Sequence, residues 1–211
     1  MASADGMAEL RDDIGAVLRA EADAIWALEG RLDWDSVSRV VDLLLTLEGR
    51  VYAMGCGTSG VAARKIAHTF SCVGCPATYL NPADAPHGGL GAVKKGDVVF
   101  LVSKGGETAE LMGILPALAH LGATVIAVTG VADSTIGRAA DLVLTVEVDG
   151  EPDPHNMLAT ASTLSVAALM DGIAIALMRR NGFDPSWFGV VHPGGAVGHR
   201  LNGRDSGQRE N

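Results

Sequence analysis

Between residues 50 and 146 short apolar runs, rich in β-branched residues, alternate with helix-period stretches, and this alternation constrains the fold more than anything else in the chain. The runs are 50–54, 77–80, 97–102, 124–129 and 141–146, and helices are predicted over 59–73, 109–121 and 134–140. Strands of this kind, recurring with helices between them, call for a five-stranded parallel sheet with helices on both faces, an α/β doubly wound fold. In such sheets ligands bind beyond the carboxyl ends of the strands, where the strand order reverses.

Two loops are placed to use that position. Val98–Val102 runs into Ser103-Lys104-Gly105-Gly106-Glu107-Thr108, and a helix with Leu111, Ile114, Leu115 and Leu118 follows. Residues 55–60, Gly-Cys-Gly-Thr-Ser-Gly, make the same kind of joint after the first strand. A glycine- and hydroxyl-rich loop over a helix N-terminus offers unpaired N–H groups and the positive end of a dipole to an anion. Neither loop is a Walker or a Gly-x-Gly-x-x-Gly motif. Taken singly, the second loop is equally a capped βα-turn and an anion site. The pair facing one crevice favours a phosphate.

Two helices precede the alternation. One spans 8–29 with Leu10, Ile14, Val17, Leu18, Ile25 and Leu28 on one face. Asp33 or Asp35 caps the next, which turns Val37, Val40, Val41, Leu44 and Leu45 inward. After the polar loop 147–156 a long helix is predicted over 158–178, apolar on more than one side and therefore buried in the domain or in an interface between subunits. The chain divides into N-terminal helices (1–48), an α/β core (50–201) and a loose tail (202–211), all within one domain.

Composition narrows the function classes. A net charge of −9 argues against nucleic-acid binding but not against a phosphorylated metabolite at a locally positive site. No apolar stretch reads as a membrane span, because Asp, Gly or Arg interrupts each one. The N-terminus lacks the basic and apolar segments of a signal peptide, so a cytoplasmic place is expected. Cys72-x-x-Cys75 supplies half of a zinc site with no second pair, and it ends a helix rather than starting one, so Cys56, Cys72 and Cys75 read as small buried thiols and no metal is expected.

Several stretches resemble the sugar isomerase (SIS) domain, and within it the arabinose 5-phosphate isomerases. They are Gly55–Gly60, Ala63–Ala67, Pro86–Gly91, Ser103–Thr108, Asp171-Gly172 and His192-Pro193-Gly194-Gly195-Ala196-Val197-Gly198. The resemblance spans roughly 35–201 and implies a flavodoxin-like sheet. Full-length relatives often add a pair of CBS domains, and this sequence stops where they would begin. The family interconverts aldose and ketose phosphates through an enediol, a route that needs no metal or organic cofactor. It does need a proton-transferring base, an acid–base group for the oxygens and a fixed phosphate.

The resemblance implies catalytic positions for Glu151, His192 and Glu110, with Glu151 moving the carbon-bound proton and His192 serving ring opening or oxygen proton transfer. It implies phosphate contacts from Ser59, Ser103 and Thr108, with Ser162 and Thr163 adding donors. Thr58, His87, Lys104 and Gly105 complete the substrate-binding set. A homodimer or homotetramer with shared active sites is implied as well. Each residue also has an ordinary structural reading: Glu110 as a first-turn carboxylate, Glu151 as a loop carboxylate, His192 as a turn cap. The chain departs from the family at Thr58, commonly Lys, at Lys104-Gly105, commonly Asn-Ser, at Gly89, often Asp, and at Pro152-Asp153-Pro154, commonly Cys-Pro-Leu. A cation has left the first loop and one has entered the second. The alternatives are isomerisation of another anionic sugar, such as a hexulose or heptulose phosphate, and a sugar-phosphate sensor without catalysis.

Overall fold

A computed structural model describes residues 4–201. The tail from Asn202, expected to be loose, lies outside the described residues. Strands β1 (Val51–Gly55), β2 (Ala77–Tyr79), β3 (Val98–Val102), β4 (Thr124–Thr129) and β5 (Leu142–Thr145) form one sheet in the order β2-β1-β3-β4-β5. Every pairing is parallel, with Val51 opposite Ala77 and Val98, and Val98 opposite Thr124. The order reverses between β1 and β3, which places the switch point there.

Both faces of the sheet are covered, so its central strands are apolar throughout. Val98, Phe100 and Val102 of β3 enter one core with Val51, Ala53, Ile126 and Val128. Val99 and Leu101 enter the other with Tyr52, Met54, Val125 and Ala127. The first core is closed by α2 (Trp34–Leu45), α3 (Gly57–Cys72) and α7 (Ala161–Arg180), and the second by α4 (Ala109–Met112), α5 (Leu115–Leu121) and α6 (Thr135–Ala139). Phe70 of α3 meets Phe100 edge-on, with centroids 5.8 Å apart. Two short helices, α8 (Pro185–Val191) and α9 (Ala196–Leu201), complete the described chain.

Several expectations are corrected. The single helix over 109–121 is two. Pro116 lacks the N–H that would bond Met112, and its ring crowds that carbonyl, so α4 closes at Gly113 and α5 restarts at Leu115. The long helix starts at Ala161 rather than 158, because the N–H groups of Leu158 and Thr160 donate to the carboxylates of Asp153 and Glu151. At 20 residues and mean hydropathy 1.7, α7 does match a membrane span in length and composition. It packs against α1 (Ala4–Arg31), α2 and α3, with 44% of its apolar stretch buried and Leu164 and Ile175 left exposed.

Asp33 caps α2 as expected, accepting from Asp35 N at 3.1 Å. The first helix is longer than expected, and only its end is covered. Leu28 is buried, while Leu10, Ile14, Leu18 and Ile25 on the same apolar face stay exposed.

Candidate active site

The switch point is built from backbone that tolerates no side chain. A Cβ on Gly60 would lie 2.6 Å from the Gly55 carbonyl oxygen, so the first loop can fold tightly under α3 only with glycine there. Gly106 is left-handed, at φ 67°, and a Cβ on it would lie 1.9 Å from Ser134 Oγ. The second loop is tied down from within. Ser103 and Thr108 share a hydroxyl–hydroxyl bond of 2.8 Å, and Gly106 N donates to Ser103 Oγ at 3.1 Å. Ser103 is buried and spent on its own loop, whereas Thr108 is half-buried.

The first turn of α3 carries no side-chain cap, which leaves its leading N–H groups without a side-chain acceptor, and Ser59 of that turn lines the crevice. Glu110 is exposed at the start of α4, and burial, with the nearby Glu110 carboxylate, pushes the Cys56 thiol above its ordinary pKa.

Glu151 is the most constrained polar group of the site. Its side chain is fully buried, yet it is ionised and surrounded by donors. Lys104 Nζ lies 2.6 Å from Oε1, and the Ser162 hydroxyl donates to the same oxygen. Thr160 N and Ser162 N donate to Oε2 at 2.9 and 3.4 Å. The last two belong to the N-terminus of α7, so the carboxylate caps that helix from outside. Burial raises its pKa, but Lys104, Ser162 and the α7 amides outweigh burial and hold it at about 2.

Asn156, the one non-glycine residue of positive φ among those described, anchors the loop by accepting from Glu151 N at 2.6 Å. Asp153 accepts from the N–H groups of His155, Met157 and Leu158. Asn156, Asp153 and Thr160 are parts of the site that sequence reasoning passed over. An Asn in a polar loop, a residue type that tolerates positive φ, was the available signal.

The other expected residues divide. Ser59, Lys104, Ser162 and Thr163 line one crevice together with Thr129 and Gly130. Thr163 spends its hydroxyl on the Ala159 carbonyl at 3.1 Å. Gly105 is exposed at the tip of the second loop, and His87 is exposed on the loop after β2.

His192 is elsewhere. It caps α8, stacks on Phe188 at 3.9 Å and contacts Cys72 at the far end of α3. Thirteen residues of helix, about 20 Å, separate that end from Ser59. One chain therefore does not bring Glu151 and His192 together. The crevice of one chain encloses about 30 Å³, far short of the roughly 300–1,000 Å³ of ligand pockets.

A buried carboxylate and an ammonium thus lie beside two glycine-rich loops at the switch point of a doubly wound parallel sheet, the place where such sheets take their ligands. The chain belongs to the SIS domain family, whose model matches residues 44–172. It is 41% identical over 181 residues to the arabinose 5-phosphate isomerase KdsD of Pseudomonas aeruginosa, covering 86% of this chain and 55% of that protein. The chain thus spans about half the length of the curated relatives it matches.

Two solved structures share the fold over most of this chain. One, of a Listeria monocytogenes protein, is 40% identical with a TM-score of 0.87 over 92% of this chain and all of that one. The other, of an Escherichia coli CFT073 protein in complex with arabinose 5-phosphate, is 31% identical with a TM-score of 0.85 over 91% of this chain and all of that one.

Proposed function

We infer that the protein is an aldose–ketose isomerase of a small phosphorylated sugar, of the arabinose 5-phosphate type, working through an enediol. The observation that carries this reading is the buried Glu151 carboxylate held against Lys104 and Ser162 beside both glycine loops. The names of the relatives at 36–41% identity support it.

In this reading the first turn of α3, with Thr58 and Ser59, and the 103–108 loop, with Thr108 outermost, hold the phosphate. Glu151 moves the proton between the two carbons. A carboxylate of pKa about 2 is a weak base, and Lys104 is what keeps it weak. Lys104 is half-exposed and can follow the substrate. When its ammonium turns to a substrate oxygen, it stabilises the developing enediolate and releases Glu151 to act.

His192 comes from a second copy of the chain, which also closes the crevice. The exposed apolar face of α1, with Leu164 and Ile175 of α7, supplies surface for that assembly. A phosphate ester does not cross a bilayer, so the substrate suits a cytoplasmic enzyme. The net charge of −9 speaks for a small ligand rather than nucleic acid.

Incubation with pentose, hexose and heptose phosphates, followed by NMR for aldose–ketose exchange, tests the reaction. Exchange with arabinose 5-phosphate is the expected result. Binding without exchange across the panel would make the chain a sensor.

Sharing of the site has its own test. Glu151→Gln and His192→Ala variants, each inactive alone, are expected to regain activity when unfolded together and refolded as a mixture. In a dimer with two shared sites, half the molecules are mixed and each carries one intact site, so about a quarter of wild-type activity returns. No recovery would place His192 outside the partner's site.

A further inference from the structure

At the end of the sheet away from the crevice, His68, Cys72 and His192 turn their ligand atoms toward one another, all within 4.8 Å. His68 and Cys72 stand one turn apart on α3 and so share a face. His192 reaches that face from the C-terminus of α8. We propose that these three residues form a binding site for Zn²⁺ that latches the α8–α9 arm onto α3.

The two sulfur–nitrogen distances fit a tetrahedral ion. Zinc bonds of about 2.3 Å to sulfur and about 2.0–2.1 Å to nitrogen give a sulfur–nitrogen edge of about 3.5 Å. Cys72 Sγ lies 3.6 Å from His68 Nε2 and 3.3 Å from His192 Nε2. The tautomer of His192 is already set for ligation. Its Nδ1 faces the Phe188 carbonyl at 3.2 Å. A carbonyl only accepts, so Nδ1 carries the proton and Nε2 presents its lone pair to Cys72. Metal-ligating histidines commonly have such an outer partner for the second ring nitrogen.

One thiolate and two imidazoles select a borderline-soft ion over Mg²⁺ or Ca²⁺. His68 is exposed, which leaves the fourth position open to water and gives the ion a way in. On binding, the Cys72 thiol gives its proton to solvent and the thiolate enters the coordination sphere. Without the ion the same atoms are held by an S–H···N hydrogen bond, so the arm is preorganised.

The ion occupies the Nε2 of His192, and a latched arm cannot lend that histidine to a second copy. That consequence for turnover rests on the role inferred for His192 above. Binding of the ion does not.

Co²⁺ reports on the site directly, because a bound thiolate adds a sulfur-to-cobalt charge-transfer absorption. Titration of the untagged full chain under reducing conditions is expected to show that band with one Co²⁺ per chain, displaced by Zn²⁺. Cys72→Ser should abolish the band, and Cys56→Ser and Cys75→Ser should keep it. His68→Ala should weaken Co²⁺ binding at least roughly tenfold. A missing band in the wild type, or a band that survives Cys72→Ser, would overturn the site.

Turnover is measured in the same titration. Loss of activity at the midpoint of ion binding, relieved by His68→Ala, supports both the latch and the role of His192. Full activity with the ion bound keeps the site and removes His192 from the chemistry.

Discussion

Glu151→Gln is expected to lower kcat by roughly 10²–10⁴ while KM stays close to its wild-type value. The amide preserves most of what the carboxylate does structurally. Its carbonyl oxygen can still accept from Thr160 N and Ser162 N at the start of α7. Its NH₂ can donate to the Ser162 hydroxyl, which in the wild type donates to Oε1. Lys104 loses its partner but is half-exposed and can turn to water. What is lost is the group that takes and returns a proton. A purely structural Glu151 gives the opposite pattern, a fall in melting temperature with kcat near normal. Steady-state kinetics and thermal unfolding of the same variant separate the two.

Lys104→Ala is expected to reduce kcat/KM by roughly 10- to 150-fold, the loss of one charge-assisted contact of ~1.5–3 kcal/mol. The variant also has a signature in pH. Removing the ammonium removes the strongest of the contacts that lower the pKa of Glu151, while burial, which raises it, remains. The carboxylate therefore titrates above about 2, moving toward or beyond its ordinary 4.5. A base must be deprotonated to work, so the acid limb of the profile moves up in the variant. Ionisation of the substrate's phosphate affects both proteins alike and cancels in the comparison. Thr58→Lys in the same background restores a cation at the first loop and should recover part of kcat/KM. A solvent-facing lysine would leave both the rate and the acid limb unchanged, most clearly at low salt.

The sheet was legible because its central strands β1, β3 and β4 are buried on both faces and read as apolar runs, and each of the five strands was found within one or two residues. The break at Gly113–Ile114 was also in the sequence, in Pro116, but the apolar period ran across it. The late start of α7 was hidden, since it depends on which carboxylates reach the N–H groups of Leu158 and Thr160.

Within the site, the loops were legible as glycine and hydroxyl patterns. The pairing of Lys104 with Glu151 joins residues 47 positions apart, and no local pattern encodes it. What local reading supplied was that a cation had moved between loops. Cys72 was weighed against Cys75, when the partner one helical turn back was His68. The placing of His192 against both is tertiary and had no local signal.

The attachment of Glu151 to the first turn of α7 makes one side chain answer to two demands. Its Oε2 holds the amides of Thr160 and Ser162, while its Oε1 accepts from Lys104, which lines the crevice, and from the Ser162 hydroxyl. The same helix carries Leu164 and Ile175 outward on the chain's surface. A shift of α7 that loosens those amides raises the proton affinity of the carboxylate, and protonation of the carboxylate weakens the cap on the helix. By thermodynamic reciprocity, whatever docks on the outer face of α7 and the proton held at Glu151 must each change the other's affinity by the same factor.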